Sequence, residues 1–428
     1  MDSPSGAAPG ARFFPALGKR NFRLFWLGQC VSLVGTWMQN VGQSWLVLDL
    51  TGSPAKLGLV SAVQFLPMML LSLFAGPFVD RFPKRRTLIV TQTALMLLAL
   101  TLAVLAATGA ARYWMILVLA FLLGMVNLVD MPTRQAYVIE IAGRENLVNA
   151  VSLNSAAFNL ARIAGPAVAG LLMEAVGAAP CFFLNALSFV AVIAALLAID
   201  APPLAGGAGV GGPREVLESV RDGLRYIRGK REIYLPLSLM AVVSTFVINY
   251  NIFVPTFARG PLGRGASGFG FLMTAMGLGS LAAALILAAR SGTQAARGQG
   301  ARPSPARLYG GALGMCVAIA LCGLQRSYAL TAVLLGLTGF CTITFTASTN
   351  AGVQLASDDA HRGRVMSVYS LVFGGVTPVG ALYAGAVTDA AGPAACMVLS
   401  GSIGFAAALG LGLAARGSRR RGPARPAA

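Results

Sequence analysis

The chain has 428 residues, 56% of them hydrophobic and 11% charged, with a mean hydropathy of +0.71 and a formal net charge of +18. A soluble domain carries about a quarter charged residues, so a water-facing globule is excluded and the bilayer is the expected solvent. The bases sit between apolar runs instead of forming one patch, which argues against nucleic acid as a partner. Six cysteines without a C-x-x-C pair and a single histidine, His361, argue against disulfide, zinc or histidine-relay chemistry, and no metal or cofactor is expected.

In chain order, residues 1–22 are a polar, small-residue-rich start without the apolar core of a cleaved signal peptide. A membrane-spanning helix needs about 20 apolar residues. Twelve such runs follow: 23–48, 57–79, 87–108, 113–135, 147–174, 180–199, 235–258, 267–289, 307–325, 328–350, 365–388 and 393–414. Helices that close their own backbone hydrogen bonds are the expected way for this chain to cross lipid. The first run carries Gln29, Ser32, Thr36, Gln39, Asn40 and Gln43 at steps of three and four, a polar stripe that faces protein or water.

Between the second and third runs lies Gly76-Pro77-Phe78-Val79-Asp80-Arg81-Phe82-Pro83-Lys84-Arg85-Arg86. Gly76, Asp80, Arg81, Lys84 and Arg85 resemble the loop that marks the major facilitator superfamily, Gly-x-x-x-Asp-Arg-x-Gly-Arg/Lys-Arg/Lys; Pro83 stands where that pattern has Gly. The resemblance implies a cytoplasmic gate, in which Asp80 accepts from a neighbouring helix start or pairs with a base in one conformational state. The bases would also serve topology alone, but Gly76 and Asp80 have no part in a topology signal.

The fourth and fifth runs carry the charges that membrane burial makes costly, about 2.5–3.5 kcal/mol each near a helix centre. Asp130 and Arg134 lie one helical turn apart, and Arg162 lies near mid-depth. Pairing of Asp130 with Arg162 or with Arg134 is expected. Two readings stay open: a proton- or substrate-responsive site facing a cavity, or a permanent ion pair joining helices. Asn127 and Asn159, with Gln39, Gln43 and Asn249 on other runs, are candidates to line the same pathway, against interhelical hydrogen bonding alone. Ala161, Gly165 and Ala169, spaced by four with Pro166 beside them, predict a close-packing seam and a bend.

Residues 200–234 form the one long link, opening with Ala201-Pro202-Pro203 and two glycine pairs. Val216, Val220, Leu224 and Ile227 then mark the apolar face of an amphipathic helix expected on the membrane surface. This link divides the chain into bundles at 23–199 and 235–414, with a basic tail at 415–428. A shift of 215 residues places Gly170 on Gly385, Glu174 on Asp389, Gly177 on Gly392 and Cys181 on Cys396, the internal echo expected of two related transporter halves. Of the 33 lysines and arginines, five (Lys56, Arg112, Arg259, Arg264 and Arg326) fall in the links of one side and two (Arg134 and Arg162) within spans. The other 26 are on the side of the termini, which the positive-inside rule makes cytoplasmic.

Asp130-Met131-Pro132-Thr133-Arg134-Gln135-Ala136, Gly143-Arg144-Glu145-Asn146-Leu147-Val148-Asn149-Ala150 and Ala161-Arg162 resemble the enterobactin-exporter-like branch of bacterial facilitators, as does Gly363-Arg364-Val365-Met366-Ser367 in the second half. The resemblance implies an all-α membrane protein of twelve transmembrane helices in two six-helix bundles, the major facilitator fold. It also implies alternating access and proton-driven export of a lipophilic or siderophore-like small molecule. We expect a non-enzymatic, monomeric secondary exporter of the inner (plasma) membrane, with protons as coupling ion. No G-x-x-x-x-G-K-[ST] is present to support ATP drive. An importer or uniporter is the rival within transport; a receptor or membrane enzyme is the rival outside it.

Overall fold

The computed structural model describes residues 14–79, 82–199, 213–296 and 304–420. Among these every regular element is helical: α1 (Pro15–Gly18), α2 (Arg20–Thr51), α3 (Pro54–Val79), α4 (Lys84–Ala107), α5 (Tyr113–Ala142), α6 (Leu147–Val176), α7 (Ala179–Ala198), α8 (Pro213–Gly229), α9 (Arg231–Phe246), α10 (Tyr250–Arg259), α11 (Ala266–Ala296), α12 (Pro305–Leu324), α13 (Tyr328–Ala356), α14 (Asp359–Ser370) and α15 (Thr377–Arg420). Ten helical stretches are long and apolar enough to cross a membrane. The polar stripe explains why α2, at 32 residues, is not among them. The stretch Asp359–Ala415 counts once, yet its 57 residues would reach about 85 Å as one helix. It folds back at Gly392 (φ 83°, ψ 160°), ahead of Pro393, so it supplies two crossings. With α2 and this fold-back the twelve expected spans are accounted for. The expected span 235–258 differs in detail: it breaks at Val247–Asn249 into α9 and α10.

Apolar side chains point outward as well as inward. On α4, Val90, Leu97 and Val104 lie seven apart and are all exposed, a stripe that water would penalise and lipid tails accept. Helix packing follows the two halves. In the first, α2 packs on α6 and α7, α4 on α5 and α7, and α3 on α5; in the second, α12 packs on α13 and α15, α11 on α13, and α9 on α13 and α15. The main joins between halves are α3 with α15 and α6 with α11.

Residues 215 apart occupy matching geometry. Cys181 Sγ donates to the Ala169 carbonyl at 3.8 Å, and Cys396 Sγ to the Ala384 carbonyl at 3.7 Å. Gly177 and Gly392, in turns that a side chain would strain, both have φ of 83°. On the face carrying α1 and α8, here the basal face, Lys19 pairs with Glu145 in one half and Lys230 with Asp358 in the other. Hydrogen bonding from Lys230 holds the Asp358 carboxyl below its ordinary range. That tie is therefore present at neutral pH and lost as the pH falls through the lowered folded-state value.

The opposite, distal face is sealed by a second matched set. Gly58 of α3 meets Gly385 of α15, and Gly270 of α11 meets Gly170 of α6. A Cβ at Gly58 would lie 2.5 Å from the Ala381 carbonyl oxygen, and one at Gly270 would lie 2.4 Å from that of Pro166. Two carboxylates flank these crossings. Asp389 accepts from the Ser53 hydroxyl (2.9 Å) and the Ala55 N–H (3.4 Å) at the start of α3, and Glu174 accepts from the Ser267 N–H (3.3 Å) at the start of α11. Each acid thus caps a helix of the other half, where the helix dipole favours negative charge. Both are exposed, so the effect is modest: Glu174→Gln with Asp389→Asn is expected to raise the population open at this face by about three-fold, read as increased modification of a cysteine placed at Ser61 by a membrane-impermeant reagent applied from the distal side.

The link helix makes contacts with the second half. α8 docks on α14: Tyr226 stacks on His361 at 4.2 Å, Asp222 pairs with Arg364 at 3.7 Å, and Gly223 and Ile227 are buried while Leu224 is exposed. A glycine on the buried face brings the helix close to Arg364, and Ile227 of the expected apolar face is covered by protein. The side chains of Val216 and Val220 lie outside the described residues.

Candidate functional site

Between the halves lies a cavity of about 240 Å³. One half contributes Trp37 from α2, Ser61 and Phe65 from α3 and Arg162 from α6. The other contributes the α9–α10 break from Ile248 to Ile252, Met273, Met276 and Ser280 from α11, Thr342 and Thr346 from α13, and Phe373, Thr377 and Ala381 around the start of α15. Local features of the sequence put these groups there. The helix unwinds at Asn249, whose side chain donates to the Thr245 carbonyl at 2.8 Å, and α10 restarts at the cavity wall. A discontinuous helix at mid-depth is tolerated where its backbone lines a cavity. Phe373 sits in a π-helical turn, Leu371–Gly375, whose glycines admit the crowding of α3. Tyr250 is buried, with its hydroxyl hydrogen-bonded to Thr342 Oγ1 at 2.8 Å.

Arg162 and Asn249 of the expected residues line this cavity, and Asn159 supports it by accepting from Arg162 Nη2 at 3.0 Å. Gln43 lines a smaller adjoining cavity of about 50 Å³ with Asn40 and Asn251, and donates to Gln64 at 3.1 Å. Gln39 is buried and accepts from Asn185 of α7 at 2.6 Å. Half of the polar stripe of α2 is thus interhelical adhesive: Gln29 holds α5, Gln39 holds α7 and Gln43 holds α3. Asn127 is half-buried on α5 and lines neither cavity.

Asp130 and Arg134 are not cavity residues in this state. Asp130 is buried and receives Thr91 and Gln92 of α4, each at 2.7 Å, and Arg134 Nε at 3.1 Å; Arg134 also donates to Gln29. Of the two expected pairings, Asp130–Arg134 forms and Asp130–Arg162 does not. The reason is helical spacing: a four-residue step keeps Asp130 and Arg134 on one face, which α5 turns toward α2 and α4. Gly165 shows the seam at work, since a Cβ there would lie 2.5 Å from that of Trp37.

Of the gate motif, Asp80 and Arg81 lie outside the described residues and Gly76 falls in the last turns of α3. Lys84 pairs with Glu140 at 3.4 Å, and Arg85 donates to the carbonyls of Leu196 (2.6 Å) and Leu197 (3.0 Å) at the end of α7. Both bases bind within the first half, Arg85 at the carboxyl end of a helix, which attracts a cation.

The family match extends over residues 11–418 and carries the description transmembrane secretion effector. The chain belongs to this major facilitator family. Similarity to known transporters agrees. A staphyloferrin A transporter of Staphylococcus aureus is 27% identical over 278 residues, 62% of this chain and 66% of that protein, just under two thirds of its length. The multidrug efflux pump Tap of Mycolicibacterium fortuitum is 26% identical over 361 residues, 81% of this chain and 84% of the pump. A bacterial homologue of the human lysosomal transporter Spinster, solved inward-facing and unoccupied, superposes with a TM-score of 0.73 at 13% identity, covering 99% of this chain and 100% of that one. This major facilitator is therefore an all-α, multi-pass membrane transporter.

Sequence reasoning on this facilitator did not single out Tyr250, Ser280 or Phe373. Their signals were faint: a polar Asn-Tyr-Asn interruption and a Phe-Gly-Gly turn inside apolar runs. Glu174 and Asp389 were visible as a repeat pair, but not as caps across the halves. Among the aromatics, Trp37 and Phe65 reach the cavity, whereas Phe253 is core and Trp45 packs beneath Arg259 and against Phe269.

Proposed function

We propose that the chain is a secondary exporter that moves a lipophilic or siderophore-like small molecule across the inner (plasma) membrane by alternating access, with protons as the coupling ion. The observation that carries this reading is the central cavity, built by both halves and sealed on the distal face by the matched Gly58–Gly385 and Gly170–Gly270 crossings. With the basal face cytoplasmic, as the charge bias of the sequence supports, the sealed face is the external one and the cavity is read as cytoplasm-facing. Rocking of the halves about the cavity would break the distal set and close the basal face. The relatives named for efflux support the outward direction.

Asp130 is the carboxylate that the coupling reading uses, as the buried acid at depth in the first half. The lack of any carboxylate among the described residues that line the cavity favours a second reading, a uniporter without proton exchange. Everted vesicles with an acidified lumen and a lumenal pH dye separate the two. Alkalinisation on adding a transported lipophilic compound or catecholate siderophore is the expected result. Accumulation of labelled compound with no pH change would establish the uniporter, and absence of any flux would remove transport.

A further inference from the structure

We propose that the molecule taken into the central cavity is an amphipathic organic anion, its acidic group seated on Arg162 and its body against Trp37, Phe65, Tyr250 and Phe373. The inference deepens the transport reading above and rests on it.

Arg162 is the only charged side chain among the described residues that line the cavity. Among the described residues no carboxylate pairs with it; its hydrogen bond there is to the neutral oxygen of Asn159, and its Nε is buried with no acceptor. The contrast with Arg134 is direct: that guanidinium meets a carboxylate and an amide oxygen. A buried donor without a partner costs about 1–3 kcal/mol, and a guanidinium in low dielectric without a counter-charge is costlier still. A fork left open toward a cavity is matched by a carboxylate or sulfonate, which accepts two of its N–H groups at once.

The surroundings point the same way. The α10 helix begins in the cavity wall with no acidic residue in its first turn, so its positive dipole end adds to the guanidinium's field. The remaining polar groups of the wall are neutral hydroxyls and amides, while the aromatic rings offer an apolar surface suited to an aryl or acyl body. A cation entering this space would meet Arg162 at mid-depth with no acid to offset the repulsion.

The test uses the full chain in proteoliposomes and a matched set of labelled probes: 2-naphthoate, its neutral amide 2-naphthamide, 2-naphthylmethylammonium, and ethidium as an unrelated cation. Saturable flux of naphthoate at least about tenfold above the amide and the ammonium is expected, since both leave the fork unmatched. Arg162→Gln should bring naphthoate down to the amide's level. Arg162→Lys, which keeps charge but loses the fork, should keep the preference with a KM raised about tenfold. Unchanged elution and melting temperature in detergent would certify that both variants fold. Equal flux of ammonium or amide with naphthoate, or naphthoate flux indifferent to Arg162→Gln, overturns the anion assignment. Flux of ethidium without naphthoate leaves transport standing and removes the anion; no flux of any probe removes both.

Discussion

Gly58→Ala together with Gly270→Ala is expected to prop the distal face open and depress transport at least tenfold. Each added methyl would sit against a carbonyl oxygen of the other half, 2.5 Å from that of Ala381 and 2.4 Å from that of Pro166, with opposing glycine Cα atoms 2.9 and 2.8 Å away. Backbone cannot yield as a flexible side-chain tip can, so the strain is relieved by separating the halves. Overpacking of this kind costs about 1–3 kcal/mol per site, and each 1.4 kcal/mol shifts a two-state population about tenfold. The substitutions lie between the halves, not within one, so each bundle should keep its fold. Spin labels at Arg112 and Arg326, exposed on the distal face of opposite halves, would report the change as a longer distance by double electron–electron resonance. An unchanged distance with normal transport would mean that these crossings do not define the sealed state.

The second large effect concerns the buried pair in the first half. Asp130→Asn is expected to lower thermal stability in detergent by about 3 kcal/mol, the lower end of the cost of removing one partner from a buried ion pair. The carboxylate accepts from Thr91, Gln92 and Arg134. An asparagine amide would turn one acceptor into a donor facing these donors, and would leave Arg134 with Gln29 alone. Adding Arg134→Gln should recover part of the loss, because it removes the uncompensated charge while keeping a polar side chain near Gln29. The double variant also separates the two roles weighed for Asp130. If it is stable and still couples flux to a pH gradient, Asp130 is a structural tie among α2, α4 and α5. If it is stable and moves substrate without proton exchange, Asp130 carries the coupled proton.

Much of this architecture was legible in the chain before any coordinates. Membrane-length apolar runs, short polar links and one Gly- and Pro-rich connection imply a two-part helical membrane protein, because a helix in lipid has to supply its own hydrogen bonds and hydrophobic length. The repeat at 215 residues was equally plain and corresponds to matching geometry at Cys181 and Cys396, and at Gly177 and Gly392. Arg162 stood out because a charge at mid-depth is rare.

What the chain alone left open was which polar residues meet each other and which meet the cavity. Periodicity assigns a residue to a helix face, but not the neighbour that face receives. Gln39 and Gln43 share a stripe, yet one is spent on Asn185 and the other borders a cavity with Gln64. Asp130 and Arg162, both costly charges on neighbouring runs, face different surroundings: Asp130 lies in a filled network and Arg162 in an open one. The sealing of the distal face likewise belongs to tertiary structure. Glu174 and Asp389 are ordinary helix-end acids until the two halves bring the starts of α11 and α3 against them. Contacts between residues hundreds of positions apart depend on the rotation and approach of whole helices, which packing of small residues at Gly58, Gly170, Gly270 and Gly385 determines.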